Sequence, residues 1–362
     1  MRLSRKSLWV CRGQLSFSGG IIATFASLKK NKMKKVLGMG NALVDIMITL
    51  ESDTILEMLG LPKGSMQLVD EVRSNAVLEA LGSYDKRQSA GGSAANTLHG
   101  LAMLGMPSGY IGVVGEDDLG GVFVRDMIRA GVEPHLVHST TETGRAIALV
   151  TPDSERTFAT CLGAAIELTA NHLEPGVLRS DGTVFNGYSL FHVEGYLVQN
   201  HELIRKAVEM AKSHGLKVSL DLASYNVVED NREFLQEIIT RYVDILFANE
   251  EEARAMTGMG PADATRELGK FTEIAVVKTG SKGSLVRTVA EYCEIGIIPV
   301  KPVDTTGAGD LYAAGFLFGH SMGLPMQRCG ELGALLAGNV IEFIGSKMSD
   351  DRWQQIKNQI ER

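Results

Sequence analysis

The chain reads as an α/β protein: a mainly parallel sheet covered by helices, with a second, small β-sheet set apart from it. Three observations predict this. From Gly109 onward, short apolar runs alternate with amphipathic stretches, the pattern of repeated strand–helix units. Earlier, and again around residues 146–161, apolar residues alternate with period two in segments that belong to no such unit. Finally, two turns rich in small residues open directly onto apolar helices, which places backbone N–H groups at helix N-termini.

Taken in order, Val36 to Gly40 is a short buried strand, and Asp45 to Leu50 is extended and apolar until glycine and proline break it near Gly60 to Gly64. Alternation in Ser65 to Val69, Ala146 to Val150 and Arg156 to Cys161, the last two joined by the turn Thr151-Pro152-Asp153-Ser154, supplies the small sheet. Its segments fall near 45–70 and 136–163. An insertion of this kind is expected to act as a lid that keeps water from the reacting groups. The main unit then runs through strand Tyr110–Val114, helix Leu119–Ala130, strand Val184–Phe185, helix Asn200–His214 and strand Lys217–Asp221. It continues with helix Asn231–Arg241, strand Asp244–Ala248, helix Glu250–Thr257 and strand Glu273–Lys278. Ligands of such sheets bind beyond the carboxyl ends of the strands, where the loops at Asn249, Gly280 and Gly307 all fall.

Composition narrows the function. With 362 residues and 44% hydrophobic content the chain builds a substantial core. Net charge is −7 although residues 1–32 hold only basic charges, so the body is acidic and nucleic acid is not an expected partner. Cys11, Cys161, Cys293 and Cys329 are scattered without metal-ligand spacing, which fits a reducing cytoplasm. No apolar run reaches the ~18 residues of a membrane span. Residues 1–32 read as a disordered extension or as sequence upstream of a true start at Met33, a transit-like peptide being the alternative; residues 33–362 form the folded unit.

The chemistry centres on Asp304-Thr305-Thr306-Gly307-Ala308-Gly309-Asp310. Minimal side chains at Gly307, Ala308 and Gly309 let successive N–H groups converge on one oxyanion at a helix start, and Asp310 in the first turn can accept a proton from a hydroxyl nucleophile. A capping role for Asp310 explains the same residue without chemistry. The second turn, Ala90-Gly91-Gly92-Ser93-Ala94-Ala95-Asn96 before the apolar helix Thr97–Leu104, ends in an amide able to bond a polyol. Two such turns point to phosphoryl transfer to an alcohol.

Together these motifs resemble the two signatures of the ribokinase (pfkB) family of carbohydrate and nucleoside kinases, across nearly all of residues 33–362. The resemblance implies a ribokinase-like three-layer α/β/α fold with a small β-sheet lid, ATP and Mg²⁺ as cofactors, and Asp310 as the base. It assigns Gly307, Ala308 and Gly309 to the anion hole and Gly91, Gly92 and Asn96 to substrate hydroxyls. Gly40-Asn41-Ala42-Leu43-Val44-Asp45 resembles the first-strand motif of adenosine kinases, so Asn41 and Asp45 are expected on a ribose. Glu155-Arg156-Thr157 is similar to the same branch, whose lid arginine closes over phosphates; Arg156 on a solvent-facing strand is the alternative.

Asn249-Glu250-Glu251-Glu252 matches the family's Asn-x-x-Glu, in which Asn249 and Glu252 organise Mg²⁺ through water; an N-capped acidic helix start explains the run equally simply. Lys278-Thr279-Gly280-Ser281-Lys282-Gly283 resembles the nucleotide-side turn, with Thr279, Gly280, Lys282 and Gly283 near ATP, although a hairpin explains the same glycines. Gly345-Ser346-Lys347-Met348-Ser349, with Asp304 and Thr306, resembles the monovalent-cation (K⁺) loop of some relatives. Base or ring choice is expected to rest on lid side chains such as Phe158, Phe191 and Tyr196.

Rival readings fail on spacing. Gly38-Met39-Gly40 lacks the third glycine of a dinucleotide fingerprint at Leu43, and Gly269-Lys270 has Phe271 after it and Ala264 before it where a P-loop needs other residues. The expectation is an ATP- and Mg²⁺-dependent kinase acting on a primary hydroxyl of a sugar or ribonucleoside, adenosine favoured, cytoplasmic, and monomer or homodimer. A free-sugar kinase or a non-catalytic sensor on the same fold are the alternatives.

Overall fold

Repeated strand–helix units resolve into a ten-stranded sheet in a computed structural model that describes residues 9–12, 34–153 and 155–361. From one edge the strands run Trp9–Arg12, Glu291–Ile295, Ser284–Thr288, Ile274–Lys278, Ile245–Asn249, Lys217–Asp221, Leu190–Glu194, Val36–Met39, Ser108–Gly115 and Val132–Ser139. Every pair from Ile274–Lys278 to Val132–Ser139 is parallel, and only Ser284–Thr288 runs against its neighbours. Helices cover both faces, so the strands alternate between two cores. Val36, Tyr110, Phe247 and Val276 bury towards helices Ser93–Met103, Ala308–Ser321 and Met326–Val340, while Leu37, Ile111, Leu246 and Val277 bury among His201–Ser213 and Arg232–Tyr242.

The second sheet has the order Met66–Leu68, Arg156–Cys161, Gly144–Val150, Leu43–Thr49, Arg87–Gly91. In Leu43–Thr49 the fully buried Val44, Ile46 and Ile48 alternate with Asp45 and Met47, which puts the Asp45 carboxylate on the face opposite the apolar one.

Several elements differ from the sequence reading. Val184–Phe185 is a buried turn region and no strand; the sheet strand there is Leu190–Glu194, whose internal His192 hides the apolar run. Val132–Ser139 belongs to the large sheet as its edge, where Pro134 is tolerated on the unpaired side, so the small sheet starts only at Gly144. Arg87–Gly91, too polar to read as a strand, completes the small sheet. The helix expected from Thr97 begins at Ser93. Within the extension, Trp9–Arg12 pairs in parallel with the edge strand Glu291–Ile295, against the expectation of no structure for those four residues; the rest of 1–32 lies outside the described residues.

Candidate active site

Helix Ala308–Ser321 starts at Gly307, whose φ of 74° is left-handed and whose missing side chain makes room for Ser346: a Cβ there would lie 2.7 Å from the Ser346 Cβ. Ala308 N–H closes a turn on Thr305 O, whereas the N–H groups of Gly309 and Asp310 have no protein acceptor among the described residues. Those donors and the helix dipole form the anion cradle. The two small-residue turns meet at Asp310: Ser93 Oγ donates to its Oδ1 at 2.7 Å and Asn96 Nδ2 to its Oδ2 at 3.0 Å. Thr97 Oγ1 donates to the Asp310 carbonyl at 3.2 Å. Burial pushes the Asp310 carboxyl up to about 6, against the pull of those two hydrogen bonds. A carboxylate so held is a base that titrates just below neutrality.

On the substrate side, Glu194 is buried and organises the first-strand loop. Its Oε1 accepts from Asn41 N at 2.9 Å and Asn41 Nδ2 at 2.8 Å, and its Oε2 accepts from Ala94 N at 2.9 Å. Burial drives the Glu194 carboxyl up to about 7. Asn41 thus bonds Glu194, and Asn96, which also accepts from Ser346 and Lys347, donates to Asp310. Asp45 accepts from no donor among the described residues. Its carboxylate lies over Gly91, where a Cβ would come within 2.2 Å of Oδ1. Gly92, at φ 93°, lets the Asn41 carbonyl pass at what would be 2.3 Å from a Cβ.

The nucleotide-side residues gather at strand ends. Lys278 Nζ pairs with Asp221 Oδ2 at 2.7 Å, both largely buried, and a Cβ on Gly309 would sit 3.1 Å from that ammonium. Asn249 caps helix Glu250–Thr257 reciprocally with Glu252, whose oxygens accept from Asn249 N at 2.7 Å and Nδ2 at 2.6 Å. Burial first and Asp221 next raise the Glu252 carboxyl, while Lys278 opposes them. A divalent cation relieves such crowded negative charge, so the donor set fits Mg²⁺. Among the described residues no three ligating side chains group together, so the ion would be held through water and phosphate oxygens, with Glu252 oriented by Asn249. Thr279 is buried, Gly280 has φ 54°, and Gly283 at φ 95° forms the hairpin with Ser284–Thr288, where a Cβ would meet Ile295 O at 1.9 Å. Lys282 stands at the surface beside Glu250, at 3.7 Å, so the lysine inside the cluster is Lys278.

Arg156 reaches from the small sheet to the start of the anion loop. It pairs with the Asp304 carboxylate and donates to Val303 O at 3.0 Å, and its Nε is buried without a partner. An open crevice of about 400 Å³ between Arg156, Phe158, Val303, Thr305 and Thr306 separates sheet and loop. Asp304 also accepts from Thr306 N at 2.6 Å and from Gly345 N. The Asp304 carboxylate thus has protein partners for its charge and its lone pairs: Arg156, Thr306 N and Gly345 N. Phe191 is a core residue against Phe185, not a lid side chain; Phe158 lies on the small sheet; Tyr196 stands in the turn after Glu194, its phenol pushed up by burial and by Glu194, Asp310 and Glu252.

A buried carboxylate beside unengaged helix-start N–H groups, with a buried lysine at the strand ends, suits phosphoryl transfer to an alcohol. The pfkB family carbohydrate kinase profile matches residues 82–351. The chain belongs to the pfkB family. An adenosine kinase structure from Sinorhizobium meliloti is 34% identical with a TM-score of 0.79, covering 90% of this chain and 99% of that one. An uncharacterized sugar kinase of Archaeoglobus fulgidus is 27% identical over 68% of this chain and 96% of the relative, and adenosine kinase of Saccharomyces cerevisiae is 27% identical over 73% and 81%. This pfkB kinase is thus a sugar or nucleoside kinase of ribokinase-like fold, in a family that uses ATP and typically Mg²⁺. No helix among the described residues is long and apolar enough to cross a membrane.

Glu194, Asp221, Lys278 and Lys347 were missed as site residues from sequence. One signal marks the first three: Leu190–Glu194, Lys217–Asp221, Ile245–Asn249 and Ile274–Lys278 each end an apolar strand on a polar side chain. In a parallel sheet such residues converge.

Proposed function

We propose that this pfkB kinase transfers the terminal phosphoryl group of ATP to a primary hydroxyl of a ribonucleoside, with adenosine the favoured substrate. The observation that carries the reading is Asp310, fixed by Ser93 and Asn96 beside the unengaged N–H groups of Gly309 and its own backbone. The acceptor oxygen attacks the terminal phosphorus as its proton passes to an Asp310 carboxylate oxygen. The bond from phosphorus to the bridging oxygen breaks, and ADP leaves with that electron pair. Gly307, Ala308, Gly309 and Asp310 line the cradle for the transferred group, Lys278 and Arg156 balance its charge, and Thr279 and Gly280 border the nucleotide. Glu252, held by Asn249, would orient the waters of a Mg²⁺ ion, which would supply charge neutralisation on the phosphates.

Asp45 supports a ribose-bearing acceptor, since a free carboxylate accepts from vicinal hydroxyls strongly and directionally. The name of the Archaeoglobus relative keeps a free sugar as the second reading. Cys161 and Cys329, buried and without a disulfide among the described residues, suit the cytoplasm, and the protein acts as a monomer or homodimer. Phosphorylation assays with ATP and Mg²⁺ across adenosine, inosine, guanosine, ribose and fructose test the proposal. Turnover of adenosine above the free sugars is expected; binding without ATP consumption would make the protein a sensor.

A further inference from the structure

We propose that Lys347 determines substrate specificity: its ammonium donates to the same hydroxyl oxygen whose proton Asp45 accepts, so that the pair grips one vicinal hydroxyl of a ribose. This rests on the nucleoside reading above and deepens it.

The loop carrying Lys347 is built into the site at three points. Gly345 N–H donates to the Asp304 carboxylate, Ser346 packs against Gly307 and donates from Oγ to Asn96 Oδ1 at 2.8 Å, and Lys347 Nζ donates to the same Oδ1 at 3.1 Å. An ammonium has three donors, and Asn96 takes one. Among the described residues no other acceptor bonds Nζ, and no carboxylate lies within ion-pair distance, although Asp45, Asp126 and Asp310 are the charges that hold its proton on against burial.

Two of those carboxylates are already occupied. Asp310 accepts from Ser93 and Asn96, and Asp126 accepts from Ala90 N at 3.0 Å and faces Arg129 at 3.9 Å. Asp45 has no hydrogen-bond donor among the described residues, and Lys347 is the principal charge drawing its carboxyl down against burial. The Lys347 loop also lies against the strand that carries Asp45: a Cβ on Gly345 would come 2.8 Å from Cε of Met47, which shares the Asp45 face of Leu43–Thr49, and no ion pair joins the two charges among the described residues. Leaving the Asp45 carboxylate without a donor and two of the three Lys347 hydrogens without an acceptor is costly. A hydroxyl is the group that satisfies both, because it donates one hydrogen to a carboxylate while its lone pair accepts from an ammonium. A deoxy position satisfies neither.

The test compares adenosine with 2′-deoxyadenosine and 3′-deoxyadenosine in the wild type and in Lys347→Met and Lys347→Arg. In Lys347→Met the KM for adenosine is expected to rise about 10- to 100-fold while the KM for ATP and kcat change by less than about threefold. The preference for adenosine over the more discriminated deoxy analogue should shrink by the same factor, and Lys347→Arg should recover part of it. Full discrimination with unchanged adenosine KM in Lys347→Met would overturn the inference. Should that variant fail to fold, equal wild-type kcat/KM for all three nucleosides would overturn it as well. Failure of the parent reading looks different: wild-type protein that phosphorylates ribose or fructose but no nucleoside.

Discussion

Replacing Asp310 by Asn removes the base while keeping its shape. Ser93 and Asn96 each donate to one carboxylate oxygen in the native protein. In Asp310→Asn the amide oxygen still accepts from Asn96, and the new NH₂ faces Ser93, whose hydroxyl can turn to accept. Ligand binding should therefore persist, with KM for both substrates within about threefold, while kcat falls by about 100- to 10,000-fold, the contribution of a positioned general base. Stability should move the other way. The carboxyl is raised from an ordinary 3.8 to about 6 by burial. At ~1.4 kcal/mol per pH unit, holding it ionised costs the native state on the order of 3 kcal/mol at neutral pH. A raised native value means the folded protein binds more protons than the unfolded one between pH 4 and 6, so this penalty grows as pH rises through that window and is constant above it. Asp310→Asn should escape it. Urea unfolding at pH 5 and pH 8 is expected to show the variant at least as stable as wild type, with the larger gain at pH 8. In the wild type, kcat/KM should fall below about pH 6 as the base is protonated. Wild-type-like kcat in Asp310→Asn refutes the reasoning, and so does a large loss of stability, which would make Asp310 a structural cap.

Two further substitutions probe the flanks. Asp45→Ala is expected to raise KM for ribonucleosides about 10- to 100-fold and to blunt discrimination against deoxyribose analogues; an unaltered kinetic profile removes Asp45 from the ribose site. Lys278→Met leaves Asp221 buried without its cation, so unfolding free energy should drop by about 3–5 kcal/mol, and a denaturation midpoint equal to wild type would show that the pair is solvated.

How much of this was legible follows from where each signal resides. The anion cradle and the Ser93–Asn96 turn could be read because their cause is local: small residues immediately before an apolar helix have few other uses, and the left-handed Gly307 can be inferred from its own neighbours. The parallel order of Lys217–Asp221, Ile245–Asn249 and Ile274–Lys278 could be read because each strand is followed or preceded by an amphipathic helix. Leu190–Glu194 could not, because His192 interrupts its apolar run; only folding shows that ring buried against Ser219 at 3.1 Å. The partners of Asn41 and Asn96 were hidden for a related reason. An amide in a turn looks free in one dimension, and its partner Glu194 or Asp310 lies 153 or 214 residues further on. The Lys347 loop read as a cation site, since nothing nearby in the chain announces that its ammonium bonds Asn96, 251 residues away.

Charge explains why these long-range partners matter more than the motifs suggest. Asp45, Glu194, Glu252 and Asp310 are all held above the ordinary carboxylate range, each first of all by burial. Among the described residues, Lys278 draws down the Glu252 carboxyl and Lys347 that of Asp45, while Arg156 is paired with Asp304. A polyphosphate entering such a place meets repulsion unless its charge is met on arrival. The groups able to do so are spaced along the path: Arg156 at the crevice mouth, the free N–H groups of the Ala308–Ser321 helix start, Lys278 over Gly309, and a divalent ion at Glu252. The same crowding keeps Asp310 basic enough to take a proton from an alcohol, since relaxing it with more lysines would lower its affinity for that proton. The site is therefore tuned by leaving negative charge incompletely paired, and the lysines that remain are those whose removal should change either the fold, at Asp221, or the choice of substrate, at Asp45.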